Sequence, residues 1–133
     1  MSQQNVEIVR ASLDASMRGD WESAFRDVAP NFELDLSRTI GPVPGVYRGE
    51  EAQRVLIDFL ESWQSVRVEP REFIEEGEHV VVPTTEHFVG RDGIGVQARN
   101  TWAWTIRDGA CVRFDEYVDP STELITRAAA QTV

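Results

Sequence analysis

Trp102 and Trp104 stand two residues apart in a strand-like run that ends at Asp108-Gly109. Alternate residues of a strand share a face, so both indoles point the same way. Asp-Gly after such a run signals a tight hairpin, since the favoured two-residue turn needs positive φ at both central positions. A sheet face carrying a row of indoles has to be covered. The first half of the chain supplies helices for that purpose. These features restrict the chain to a small domain of helices on a curved sheet, with an aromatic interior.

Val6, Val9, Leu13, Ser16 and Met17 recur at helical spacing, widened by Ile8 and Ser12. They predict a first helix from about Gln4 to Arg18 that stops at Gly19. Asp20 can cap a second, shorter helix, with Trp21, Ala24, Phe25 and Val28 as its apolar side and Pro30 as its end. Phe32, Leu34 and Leu36 alternate with Glu33 and Asp35, a strand signature. Ser37 to Arg48, with Gly41, Pro42, Pro44 and Gly45, reads as a loop long enough to rim a pocket. Gly49 and Glu50 introduce a third helix whose inner face is Ala52, Val55, Leu56, Phe59, Leu60 and Trp63.

Strands are expected from there to Asp119. Val66 starts one that reaches about Ile74, with Pro70 as an irregularity and Glu76-Gly77 as its turn. His79 to Val89 is the next, Gly90 to Gly95 its turn, then Val96 to Arg107 and Ala110 to Tyr117. Asp119, Pro120 and Ser121 end the meander and start a short terminal helix. Helices first and an antiparallel sheet after gives an α+β fold of one domain, residues 1–133.

The formal net charge of -10 repels a phosphate backbone and disfavours nucleic-acid binding. No apolar run reaches the roughly 20 residues that span a membrane. The first residues have neither a basic start nor an apolar core, so no signal peptide is read and a cytoplasmic protein is expected. Cys111 is the one cysteine and reads as a buried thiol rather than a nucleophile. No His, Asp or Glu set has the spacing of a metal site, and no cofactor is expected.

Three stretches resemble the NTF2-like superfamily in its SnoaL-like branch. They are Val6–Arg10 through Arg18–Trp21, Gly45–Gly49, and Trp104–Gly109 through Val112–Phe114. The resemblance implies a cone-shaped, cystatin-like fold, with a curved antiparallel sheet packed on the N-terminal helices around an apolar pocket. It also implies that dimers are common. The branch includes ketosteroid isomerases and polyketide cyclases, and epoxide hydrolases share the fold; a shared fold alone assigns none of these activities. The isomerase's oxyanion-binding tyrosine falls at Ser12, its base at Leu36 and its protonated acid at Trp102. All three depart from the pattern, and a leucine moves no proton. The epoxide hydrolase arginine and aspartate are missing from Asn100-Thr101-Trp102, with Arg99 in the opposite phase.

With Trp102 and Trp104 inward, Ala98, Asn100 and Ile106 share their face. So do Val112, Phe114 and Glu116 on the last strand, and Val80, Val82, Thr84, Glu86 and Phe88 on the strand from His79. This phase places two carboxyl groups, Glu86 and Glu116, among apolar neighbours, where burial raises a carboxyl pKa and makes a general acid or base. The alternative for each is a twist or bulge that lets it reach solvent, or a pairing with Arg or backbone N–H. Asp35 is in the outward phase and reads as a displaced base or a solvated acid. Tyr47 offers a hydroxyl at the pocket mouth or acts as a lid residue. His87 faces outward and His79 is expected at the surface.

The expected pocket is Ser12, Leu36, Tyr47, Phe59, Trp63, Val82, Thr84, Phe88, Asn100, Trp102, Trp104 and Phe114. It suits a small, largely hydrophobic molecule bearing a hydroxyl or carbonyl. Two other readings stand beside this one. One is a cofactor-independent isomerase, cyclase, dehydratase or epoxide hydrolase using Glu86, Glu116 or Asp35. The other is a protein-interaction or structural dimer module. The mild outward face of Val81, Pro83, Thr85, Thr101, Ala103 and Thr105 suggests a homodimer.

Overall fold

The computed structural model describes residues 2–38 and 44–118. The segment read as a terminal helix, and residues 39–43 of the proline-glycine loop, lie outside them. Among the described residues there are three helices and seven strands. Helix α1 (Ser2–Met17) ends before Gly19, whose φ of 74° needs no Cβ. Helix α2 (Trp21–Ala24) is capped by Asp20, whose side chain accepts from the Ser23 N–H. It is one turn long, shorter than the apolar spacing suggests. Val28 to Pro30 belong instead to strand β1 (Val28–Asp35). Pro30 is tolerated there because the pairing of β1 shifts register between Val28 and Glu33.

Strand β2 (Val46–Arg48) leads directly into helix α3 (Gly49–Glu61). The long strand expected across Pro70 is two strands, β3 (Ser65–Pro70) and β4 (Ile74–Glu76), both paired with β5 (His79–Val89). Proline removes a ladder donor, and the chain detaches after it. Strands β6 (Gly95–Arg107) and β7 (Ala110–Val118) complete the sheet. Asp108 and Gly109 join them at φ 52° and 78°, the turn expected of Asp-Gly.

The order β2-β1-β7-β6-β5-β3 is an open path, with β2 and β3 at its two ends. Strand β1 runs parallel to β7, with Leu34 beside Phe114 and Asp35 beside Asp115. This corrects the expected cone with a wholly antiparallel, curved sheet: the fold is α+β, but its sheet is mixed and open. Alternation reports which face a strand buries and is silent on the direction of its partner. The long-range β1–β7 pairing could not be read from it.

Val9, Phe32, Leu34, Val80, Val82, Trp104 and Ile106 form the core between helices and sheet. Thr105 pairs with Arg113 but Ile106 with Cys111, so β7 bulges there. The bulge gives the inward face to Cys111, not to Val112. On the other face, Val81, Ala103 and Tyr117 form a second buried cluster. His79 is 2% exposed on that face and shares a hydrogen bond with Thr105 at 3.0 Å, which corrects its expected surface position.

Candidate functional site

The inner faces of all three helices and five strands enclose a cavity of about 110 Å³. Helix periodicity builds one wall. Ser12, Leu13, Ser16 and Met17 line it from α1, and Val55, Leu56, Phe59 and Leu60 from α3. Phe32 and Leu36 close it near β1 and Val68 from β3. The Ser12 hydroxyl donates to the Ala24 carbonyl at 2.8 Å, and the Ser16 hydroxyl to the Ser12 carbonyl at 2.9 Å. Both hydroxyls therefore serve the backbone.

The sheet side carries the ionisable groups of the lining. Val82, Trp102 and Glu116 form one row across β5, β6 and β7, and Val80, Trp104 and Phe114 form the next. The Phe114 ring lies between the indoles, 4.1 Å from the Trp102 centroid and 4.2 Å from that of Trp104. The Trp102 indole N–H donates to Glu86 Oε2 at 3.0 Å, and the Thr84 hydroxyl donates to the same oxygen at 2.8 Å. Glu86 is only 3% exposed, and these neutral donors are its hydrogen-bond partners. Glu116 lines the same cavity. Burial, and then the negative charge of Glu86, push its carboxyl up to about 8. Cys111 is a buried thiol pushed by burial up to about 12, so it stays neutral in the wall.

The structure thus brings together Ser12, Leu36, Phe59, Val82, Thr84, Glu86, Trp102, Trp104, Phe114 and Glu116. Trp63 and Phe88 pack against each other, tilted, with ring centroids 4.9 Å apart, outside the lining. Asn100 gives only its carbonyl, to Thr84. The Tyr47 hydroxyl donates to the Pro44 carbonyl at 3.1 Å, while its ring packs on the core.

Asp35 is elsewhere. It accepts from the Ser37 N–H and hydroxyl and from Arg38 and Arg113, in a network with Glu33 and Asp115. Burial works to raise its carboxyl, but the Ser37 hydrogen bonds and both guanidinium charges hold it below the usual range. His87 faces outward and meets Glu69 at 2.8 Å. Sequence reasoning missed the contributions of Met17, Trp21, Phe32 and Cys111 to the lining. Met17 sat on the helical stripe and Phe32 on the alternating strand, so both left a signal; the bulge that turns Cys111 inward left none.

A second cavity of about 140 Å³ adjoins the first and shares Ser12, Val28, Trp104 and Cys111 with it. Arg18 and Arg26 line this one, beside Asp27. Among the described residues no group of three or more His, Cys, Asp or Glu is placed to hold a metal ion. No helix among them is long and apolar enough to cross a membrane.

The sequence pattern of the SnoaL-like domain matches residues 9–114. Among solved structures, TerC co-crystallised with polyporic acid is 24% identical, with 96% of this chain and 98% of that one covered and a TM-score of 0.78. An NTF2-like protein of unknown function from Burkholderia pseudomallei K96243 is 24% identical, with 93% and 95% covered and a TM-score of 0.77. An NTF2-like protein from Burkholderia xenovorans LB400 is also 24% identical, with 98% of each chain covered and a TM-score of 0.74. At such identities the likeness is one of fold. No curated protein matches the chain.

Proposed function

This chain belongs to the SnoaL-like domain family of the NTF2-like superfamily, and we propose that its cavity binds a small, largely apolar molecule with Glu86 and Glu116 at the polar end. The observation that carries this reading is the composition of the wall. An aromatic-rich surface is broken by two carboxyl groups on β5 and β7, the strands that flank β6, one of them fixed by Trp102 and Thr84. The three positions at which the isomerases keep their catalytic groups hold Ser12, Leu36 and Trp102 here. Ketosteroid isomerase chemistry is therefore not part of the proposal. That TerC was co-crystallised with polyporic acid supports a small-molecule reading for this fold.

Thermal stabilisation by a panel of small apolar alcohols, ketones, lactones and epoxides tests the proposal. Compounds of one ring are expected to raise the melting temperature in proportion to concentration. Filling the cavity by Val82→Phe is expected to abolish the effect. A panel with no response in a folded protein would refute it.

A second reading is favoured by one observation. A carboxyl pushed up to about 8 by burial, beside a carboxyl group held by Thr84 and Trp102, is an acid and base pair suited to neutral pH. In that reading Glu86 takes a proton from carbon beside a carbonyl, and Glu116 donates one to the oxygen. Deuterium uptake from heavy water by the bound ketone, lost in Glu86→Gln, would support it. Exchange no faster than in buffer would exclude it for that ketone.

The interaction-module alternative needs an exposed apolar patch. The exposed large hydrophobic residues among those described are Val46, Ile94 and Val96. A homodimer would need a surface other than Val81, Pro83, Thr101 and Ala103, which are buried within one chain. Sedimentation at micromolar concentration, giving one chain's mass or twice it, decides that question.

A further inference from the structure

We propose that the cavity selects an apolar molecule carrying one protonated nitrogen, seated between the carboxyl groups of Glu86 and Glu116. This rests on the reading of the cavity as a small-molecule site and adds the charge class of its ligand.

Buried carboxylates in proteins are normally matched by a cation, because neutral donors offset only part of the lost hydration. Glu86 is 3% exposed and has no such match among the described residues. Thr84 and Trp102 both donate to Oε2, which leaves Oε1 without a hydrogen bond among the described residues. Among the described residues no Arg, Lys or His side chain lines this cavity. The nearest cationic wall is that of the adjoining cavity. There Arg26 donates to Ser23 and Arg18 lies 3.7 Å from Asp20. The ion pairs of Arg38, Arg48 and Arg113 join Glu33, Asp35 and Asp115, none of which lines the cavity.

Glu116 is the second independent mark of a missing partner. Its carboxyl lines the cavity and holds no hydrogen bond to a described residue. Burial and the charge of Glu86 keep its proton on. A cation between the two groups would remove the like-charge repulsion and replace lost hydration with an ion pair. A neutral ligand would relieve neither. An anion would set a second negative centre against Glu86, in a chain whose formal charge is already -10. The free volume of about 110 Å³, below the roughly 150 Å³ of a void that holds benzene, limits the apolar part to no more than one small ring.

Isothermal titration of the full chain at pH 7 with benzylamine, benzyl alcohol and benzoate tests the inference. Benzylamine is expected to bind at least about 10-fold more tightly than benzyl alcohol, with no detectable benzoate binding. Repeating the amine titration in buffers of different ionisation enthalpy counts protons. A group titrating near 8 that ionises on binding releases about 0.9 proton at pH 7, whereas benzyl alcohol releases none. Glu86→Gln and Glu116→Gln should each remove most of the preference for amine over alcohol. Retained alcohol binding shows that each variant is folded. Alcohol binding as tight as amine binding, or a preference that survives both substitutions, would overturn the inference and leave the small-molecule reading intact. Failure of all three compounds to bind would overturn both.

Discussion

Glu116 adds a pH dependence to the stability of the fold. Its carboxyl moves from an ordinary value of 4.5 to about 8 on folding, burial being the larger cause. Below pH 4.5 both states hold the proton and the full contribution to stability is present. Between 4.5 and about 8 the unfolded chain has released the proton and the folded chain keeps it, so stability falls as pH rises. Glu116→Gln cannot ionise. By urea denaturation it is expected to match the parent protein near pH 4 and to exceed it by on the order of 5 kcal/mol near pH 9. Parallel profiles for the two proteins would contradict the placement of this carboxyl. Trp102→Phe keeps a ring against Phe114 but removes the N–H from Glu86. A loss of about 1–2 kcal/mol is expected, because a buried acceptor loses a donor. Cys111, 1% exposed with its thiol pushed up to about 12, should resist maleimide in the native protein and react once urea unfolds it. At this scale the inward phase of Glu86 and Glu116 was readable, because strict alternation from two tryptophans carries through paired strands. The ion network that occupies Asp35 was not readable, since Arg113 is 78 residues away along the chain.

The elements were legible where local chemistry alone defines them. Asp108-Gly109 is such a case: φ is positive at both residues, and nothing outside the hairpin is needed to specify the turn. Gly109→Ala places a Cβ at φ 78° and is expected to cost about 1 kcal/mol, read by thermal or urea denaturation. An unchanged stability would mean that the turn relaxes. Strand β5, His79–Val89, has the bounds its alternation predicts. The elements that differed were those whose ends depend on partners. Helix α2 stops at Ala24 because Val28 is drawn into pairing with Cys111. Pro70 splits one apolar run into β3 and β4, although both lie along β5. The bulge opposite Ile106 exchanges Val112 for Cys111 in the wall, and no residue pattern announces it.

For the whole molecule, the helix-then-strand order gave the α+β class, and the tryptophan row gave an aromatic interior between its layers. The sheet's open edges and its parallel β1–β7 pair arise from contacts about 80 residues apart in sequence, which periodicity cannot encode. The cavity follows from both levels. Helical stripes on α1 and α3 and alternate residues on the strands converge on one space, and among the described residues two carboxyl groups face it with hydrogen-bonding capacity to spare. The most direct test of that arrangement is a site-specific carbon NMR titration of the Glu86 and Glu116 carboxyl groups, with and without a saturating one-ring ligand. The account predicts that Glu116 titrates near 8 in the free protein and that its midpoint moves when the ligand is added. A Glu116 midpoint near 4.5, unmoved by any ligand, would contradict it.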